Sequence, residues 1–281
     1  MDLSIKNIHN SAVNNTQGTN SSSITNKNIE NKINSTHTNK TTNKSIGKCL
    51  RSIFIAGVAL QKKKNLAEVQ KTFQKIFMNP KITLGEAYVM KKRYESIEKI
   101  KDKNEYIKAL FEEAKNNFGF GKSNIKLETV KKEFMPDAIG GADNAFQSIK
   151  IREDIPRERI LSTIHHEFRH HKQHYLAFNL SPENYMHAVN KKIEILTNGK
   201  VKDVWKDLDK FKTWIEASLN EKQSLKNIPE ELIDYAKDCI KAISTYKDAS
   251  KDFNAYANNF LETDARKAGA AIEKIMKLQV E

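Results

Sequence analysis

The spacing of apolar residues along the chain predicts a mostly helical protein with a few short strands. Apolar positions recur every three or four residues over residues 66–77, 85–100 and 104–117, which is the period of one helix face. Residues 124–130 and 146–151 instead alternate between apolar and polar positions, as strands do. Four more helices are predicted over residues 182–196, 201–223, 229–246 and 248–277.

The same pattern predicts the centre of the fold. Pro156 indicates a helix start, because proline is tolerated in the first turn, and Ile160, Ile164 and Phe168 then form one apolar stripe. Residues 135–143, which contain two consecutive glycines, are expected to be a loop. We therefore expect an α+β fold, predominantly helical, in which a small antiparallel sheet packs against this central helix.

The amino-terminal region differs in composition from the rest. Residues 1–45 contain 11 Asn, 7 Ser and 7 Thr, and no aromatic residue precedes Phe54. Such a segment buries too little apolar surface to offset the entropy lost on ordering, so we expect a disordered tail. We divide the remainder into a helical region over residues 46–118 and a second domain over residues 119–281.

Charge and hydropathy narrow the class of protein. The net charge is +13, but the lysines are spread along the predicted helices, so we expect a solvated basic surface and no nucleic-acid partner. No apolar run reaches the ~18 residues of a membrane span. The longest run, residues 53–60, precedes three lysines and is expected to dock on the core. Contact of residues 46–64 with a membrane surface is the alternative.

The candidate chemistry lies in the helix after Pro156. Residues 166–170 read His-Glu-Phe-Arg-His, the H-E-x-x-H spacing. Histidines four apart lie on one helix face and can converge on one ion, and the glutamate between them can take a proton from a water molecule. On a helical wheel, His166 and His170 fall opposite the apolar stripe. We expect one Zn²⁺ per chain; the alternative is a solvated face rich in histidine.

A catalytic zinc site needs a third protein ligand. The metzincin class is disfavoured, because Gln173 stands where its glycine bend would be. His174 shares the face of the other two histidines, but along a continuous helix it lies about 12 Å from His166. We expect His174 to support the site, face the substrate or be exposed. An acid from a later helix remains.

Residues 256–266 supply such an acid, with the sequence YANNFLETDAR. Together with H-E-x-x-H, this patch resembles the gluzincin group of zinc metallopeptidases. The resemblance implies a zincin-like catalytic domain in which Glu262 is the third ligand and Glu167 the general base. It also implies that residues 146–151 form an edge strand along the substrate. Arg266 departs from the group's pattern, so Asp264 is expected to orient a histidine.

Two assignments stay open. A helical wheel places Asp264 within the apolar stripe of the last predicted helix and Glu262 opposite, so Asp264 and Glu194 remain alternative ligands. Tyr256 is the first candidate for stabilising the oxyanion, with Tyr175 and Tyr185 as alternatives.

The expected function is a zinc-dependent metalloendopeptidase that hydrolyses a peptide bond in a protein substrate. The tail resembles the leaders of injected bacterial effectors. We therefore expect an effector or toxin, secreted or injected without a cleavable signal peptide and otherwise cytoplasmic. Its expected partners are a protein substrate and an export or injection machinery. The alternatives are an inactive binding protein on a zincin scaffold and a basic helical protein that binds nucleic acid.

Overall fold

The computed structural model describes residues 40–143, 146–220, 228–247 and 249–280, and for residues 40–54 and 56 it describes the backbone alone. This part of the chain is α+β and predominantly helical, as predicted. The helices are α1 (Lys40–Phe77), α2 (Leu84–Ile97), α3 (Lys103–Asn117), α4 (Arg157–Leu180), α5 (Pro182–Leu196), α6 (Leu208–Leu219), α7 (Ile233–Ser244), α8 (Phe253–Ala257) and α9 (Phe260–Met276); the strands are β1 (Lys126–Val130), β2 (Gly140–Ala142) and β3 (Ser148–Arg152).

The structure tests part of the predicted tail but leaves the predicted domain boundary at residue 118 untested. Residues 1–39 lie outside the described residues, and residues 40–45 already belong to α1, so the prediction of disorder was wrong for those six positions. The hydrophobic core contains residues from both sides of position 118, from Val69 to Val280. The division into residues 46–118 and 119–281 stays a prediction.

The sheet is mixed, and the prediction of an antiparallel sheet was wrong. Its strand order is β1-β3-β2, with β1 parallel and β2 antiparallel to β3. The chain leaves β1, returns through β2 and then inserts β3 between the two, so β1 and β3 run in the same direction. The predicted edge strand is therefore the central strand. The predicted loop contains β2, whose glycines gave no strand signal.

Helix α4 lies at the centre of the molecule. It packs against α9, α3, α7, α5 and the sheet, and it is buried on almost every side. Its most extensive contact is with α9, and a methyl group at Gly269 would lie 2.8 Å from the carbonyl oxygen of Ser162. A buried helix that carries polar side chains must give each of them a partner. The polar residues of α4 are therefore placed against specific groups rather than against solvent.

Two helices have boundaries that differ from the predicted ones. Helix α6 starts only at Leu208, where the side chain of Asp207 caps it, and residues 221–227 lie outside the described residues. The last predicted helix is two helices, because the side chain of Asn259 accepts a hydrogen bond from the backbone of Leu261 and starts α9 there. This break places Glu262 in the first turn of α9.

The apolar run over residues 53–60 does not dock on the core where its side chains are described. Ile55 is 66% exposed, Leu60 70% and Val58 38%. Farther along the same helix, Val69 and Phe73 are fully buried. The prediction of a docked helix was thus wrong for these positions. Among the described residues, no helix carries an apolar stretch long enough to cross a bilayer.

Candidate metal centre

Three side chains from two helices meet at one point. Nε2 of His166 lies 3.1 Å from Nε2 of His170. The carboxylate of Glu262 lies 3.6 Å from the first nitrogen and 3.5 Å from the second. One ligand atom from each of the three lies within 4.8 Å of the others, so this cluster could hold a metal ion. Glu262 is 1% exposed.

The helices explain why these three residues meet. His166 and His170 are one turn apart on α4. Glu262 lies three residues before Ala265 and seven before Gly269, and both of these small residues are buried in α9. The absence of a side chain at Gly269 allows α9 to approach α4 closely. The approach of the two helices carries Glu262 to the histidines.

The structure separates Glu262 from the other candidate acids. Glu194 is half-buried and lies 3.6 Å from Lys202. Asp264 forms a bidentate pair with Arg169, at 2.6 and 3.0 Å, and keeps a side chain that is 20% exposed. The helical wheel had placed Asp264 within the apolar stripe and Glu262 opposite. That was wrong, because the face of α9 that packs on α4 includes Glu262.

Gln173 connects Asp264 to the cluster. Its Oε1 atom lies 2.9 Å from Nδ1 of His170, and its Nε2 atom donates to Asp264 at 2.9 Å and to the carbonyl of Leu261 at 3.1 Å. Because both partners of Nε2 are acceptors, Oε1 must face His170. The Nδ1 atom of His170 therefore carries the proton, and Nε2 presents a lone pair to the cluster.

Arg169 fixes the position of Asp264, the carboxylate to which Gln173 donates. Besides the pair with Asp264, it donates to the carbonyls of Lys75 and Ile76 in the last turn of α1. Tyr235 donates a fourth hydrogen bond to Asp264, at 2.5 Å. Burial raises the pKa of Asp264, but the hydrogen bond and charge of Arg169 outweigh it and hold that pKa below its ordinary value. The Asp264–Arg169 pair thus ties α1, α4 and α9 together.

Glu167 is buried beside the cluster with one free oxygen. Its carboxylate accepts a hydrogen bond from the backbone of Ala142, while Oε2 has no hydrogen-bond partner among the described residues. A methyl group at Gly140 would come within 2.9 Å of Oε1 of Glu167, so only glycine allows β2 to lie this close. Burial raises the pKa of Glu167 to about 7; His166 lowers it and Glu262 raises it.

The predicted tyrosines lie in different places. Tyr256 is 3% exposed, and its hydroxyl hydrogen-bonds to Glu262. Burial, together with that carboxylate, raises the pKa of Tyr256. Tyr185 is fully buried with its hydroxyl 2.8 Å from His174, and Tyr175 packs edge-on against Phe120. Of the three, Tyr256 is the one whose hydroxyl reaches the cluster.

Two residues near the cluster were missed. Tyr246 donates to Glu262 at 3.3 Å, and Nζ of Lys192 lies 4.0 Å from the ring centroid of Tyr246. Burial lowers the pKa of Lys192 to about 8, although the nearby Glu262 opposes the shift. Neither residue belongs to a motif. The only sequence signal was a lysine at an otherwise apolar helix position, between Val189 and Ile193.

The remaining histidines of α4 face the core. His165 lies between Tyr94 and the carbonyl of Leu161, at 2.8 Å from each. His171 packs among phenylalanine rings, with its ring centroid 5.5 Å from that of Phe146. His174 is 3% exposed, so the alternative of an exposed residue was wrong. Histidine density alone therefore did not identify the candidate metal ligands; the spacing of His166 and His170 predicted them.

No family model, curated protein or solved structure matches this chain. The gluzincin resemblance accordingly rests on the two motif patches alone. Any proposal about function must be argued from the residues of the site.

Proposed function

We propose that the protein is a zinc-dependent metalloendopeptidase. The observation that carries the proposal is the position of Glu167. It is buried beside the His166–His170–Glu262 cluster, with an unpartnered carboxylate oxygen. A buried carboxylate oxygen without a hydrogen-bond partner is destabilising, and a catalytic role is one explanation for its presence. A general base that must reach a water molecule at the cluster is such a function.

The separations between the ligand atoms fit a zinc ion. In a tetrahedral site with bonds of about 2.0–2.1 Å, ligand atoms lie about 3.3–3.4 Å apart. In the cluster the two Nε2 atoms lie 3.1 Å apart, Oε2 of Glu262 lies 3.6 Å from Nε2 of His166, and Oε1 of Glu262 lies 3.5 Å from Nε2 of His170. Two imidazoles and one carboxylate form the ligand set of one class of catalytic zinc site, which keeps a fourth position open. The lone pair that Gln173 directs to Nε2 of His170 also suits a cation.

The residues around the cluster suit hydrolysis. A zinc ion held by His166, His170 and Glu262 would supply a Lewis acid that polarises a carbonyl and makes water more acidic. Glu167, with a pKa of about 7, is suited to accept a proton near neutral pH and to return it to the leaving amine. Tyr256 keeps its proton because its pKa is raised, and its hydroxyl, which donates to Glu262 in the structure, would turn from that carboxylate to donate to the oxyanion.

The sheet favours a polypeptide substrate. Strand β2 is an edge of the described sheet, and it packs directly against Glu167. The three residues of β2 are buried and the backbone N–H of Ala142 already donates to Glu167, so an extended peptide would pair with the remaining backbone groups of this edge. A substrate strand beside β2 would then lie close to the general base. We assign to β2 the substrate-aligning role that the sequence had suggested for residues 146–151.

The composition of residues 1–39 supports a further element of the proposal, that the protein is an injected effector or toxin. The segment is rich in Asn, Ser and Thr and has no aromatic residue, as expected of a leader that stays unfolded for export. Its partners would be an export or injection machinery and a protein substrate in the target cell.

The test compares zinc-loaded wild-type protein with Glu167→Gln. Both are incubated with a cell extract, and the new amino termini are identified by mass spectrometry. We expect cleavage products with the wild type only, because the amide cannot accept a proton. Thr263→Val, in the same turn of α9 as Glu262, serves as the control and should still cleave. Products that form equally with Glu167→Gln would exclude Glu167 as the base. Their absence with zinc-loaded wild type would favour an inactive binding protein.

A further inference from the structure

The side chains described over residues 55–60 of α1 lie outside the packed core. Of the side chains described before residue 61, those of Ile55, Val58, Ala59 and Leu60 are all exposed. On a helical wheel Leu60 points about 140° away from Ile55, so apolar groups project on more than one side. Burial within α1 begins with Val69. Neighbouring exposed apolar side chains on a helix mark a candidate interaction surface.

All charged residues in positions 40–67 are basic. Residues 40–67 contain no Asp or Glu, and the first acidic residue of the helix is Glu68. The described side chains of Lys63 and Lys64 are exposed. Lys62 lies four residues after Val58 and seven after Ile55, so it extends the same helix face. The basic residues in residues 40–67 are Lys40, Lys44, Lys48, Arg51, Lys62, Lys63 and Lys64.

The dimensions exclude a spanning helix. The consecutive apolar residues 53–60 cover only about 12 Å of helix, against about 30 Å of bilayer hydrocarbon. A short apolar stretch flanked by basic residues instead suits a helix that lies in the membrane interface. There its apolar side chains enter the acyl boundary and its lysines meet anionic headgroups.

The charge also argues against a second copy of the chain as the occupant. Each chain carries a net charge of +13, and side-by-side packing of two α1 helices would bring two basic segments together. An anionic lipid surface has the complementary charge. We therefore propose that residues 55–64 form a docking surface for an anionic membrane. The proposal is independent of the metalloendopeptidase assignment.

The test measures co-sedimentation of the full-length protein with lipid vesicles. One set is phosphatidylcholine alone, and the other contains about 30 mol % phosphatidylglycerol, so that the two differ in surface charge. We expect at least about tenfold stronger binding to the anionic vesicles, weakened by added salt. Leu60→Asp should reduce that binding by about tenfold or more, because it puts a charge into the apolar stretch.

Two matched controls distinguish this surface from general basic charge. Val89 is exposed on α2, so Val89→Asp makes the same kind of change elsewhere and should leave binding nearly unchanged. Lys63→Glu/Lys64→Glu should weaken binding more than Lys131→Glu/Lys132→Glu, a pair of adjacent exposed lysines outside α1. Because all four variants change exposed residues, their folds should survive.

Three results would overturn the proposal. The full-length protein could fail to bind either kind of vesicle, or Leu60→Asp could bind as well as Val89→Asp. The third is a dimer seen by light scattering, absent in Leu60→Asp, in a protein that binds no vesicles. That result would assign the surface to a second copy.

Discussion

Gln173 accepts a hydrogen bond from Nδ1 of His170 at 2.9 Å, and its own amide is held by Asp264. A ligand histidine is usually oriented by a carboxylate, a backbone carbonyl or a water molecule. Here a glutamine from the same helix orients His170, and the carboxylate of Asp264 contacts that glutamine instead of the histidine. The contact fixes both the tautomer and the ring orientation of His170.

The first prediction follows from that contact. Gln173→Leu removes the acceptor for Nδ1 while it keeps a side chain of similar size. Zinc affinity, measured by competition with a chelator, should fall about 10–100-fold. Gln147→Leu, at an exposed glutamine, is the control and should bind zinc like the wild type. An unchanged affinity in Gln173→Leu would mean that the hydrogen bond does not position His170.

The second prediction concerns the stability of the helix junction. Asp264→Ala leaves the guanidinium of Arg169, whose side chain is 7% exposed, without its carboxylate partner. Breaking a buried pair in this way should lower the free energy of unfolding by about 3–5 kcal/mol. Asp234 is exposed and pairs only with Lys237, so Asp234→Ala should cost less than about 1 kcal/mol. Equal losses in urea denaturation would contradict this role.

The third prediction is a pH dependence of stability. Burial lowers the pKa of His165 to about 4 from its ordinary 6.5, so the unfolded chain binds this proton more readily. Stability from this group is therefore complete above about pH 6.5 and is lost as the pH falls towards 4, by about 3 kcal/mol in all. The wild type should lose more unfolding free energy between pH 7 and 5 than His165→Asn. Parallel pH profiles for the two proteins would exclude His165 as the cause.

The amino-terminal segment gives a fourth prediction. Because α1 begins at Lys40, the deletion to test is of residues 1–39. The melting temperature and the peptidase activity should remain almost unchanged, since this segment has few apolar side chains to pack. Transfer into target cells should be lost. Normal delivery of the truncated protein would remove the effector proposal and leave the enzymatic one intact.

Some of this structure could be predicted from the sequence because it depends on local spacing. The pairing of His166 with His170 follows from the helical period, and α5 begins and ends where its pattern predicted. Strand direction could not be predicted in the same way, because alternation within β3 contains no information about its neighbours. Strand β2 was missed because two glycines usually indicate a turn.

The surroundings of the candidate site were harder to predict. The burial of Glu262 depends on how closely α9 approaches α4 at Gly269, which a wheel of one helix cannot represent. Lys192 and Tyr246 come from α5 and from the segment after α7, and only tertiary packing brings them to Glu262. The two ligand histidines followed from local sequence, but the residues that support them did not.

The central claim is that His166, His170 and Glu262 hold one zinc ion. Elemental analysis of purified, zinc-reconstituted protein after buffer exchange tests it most directly. We predict about one zinc per chain in the wild type and in Glu167→Gln, about one in the control Glu194→Ala, whose carboxylate lies beside Lys202, and little in Glu262→Ala. Less than about 0.2 zinc per chain in the wild type, or the same zinc content in Glu262→Ala as in Glu194→Ala, would contradict the claim.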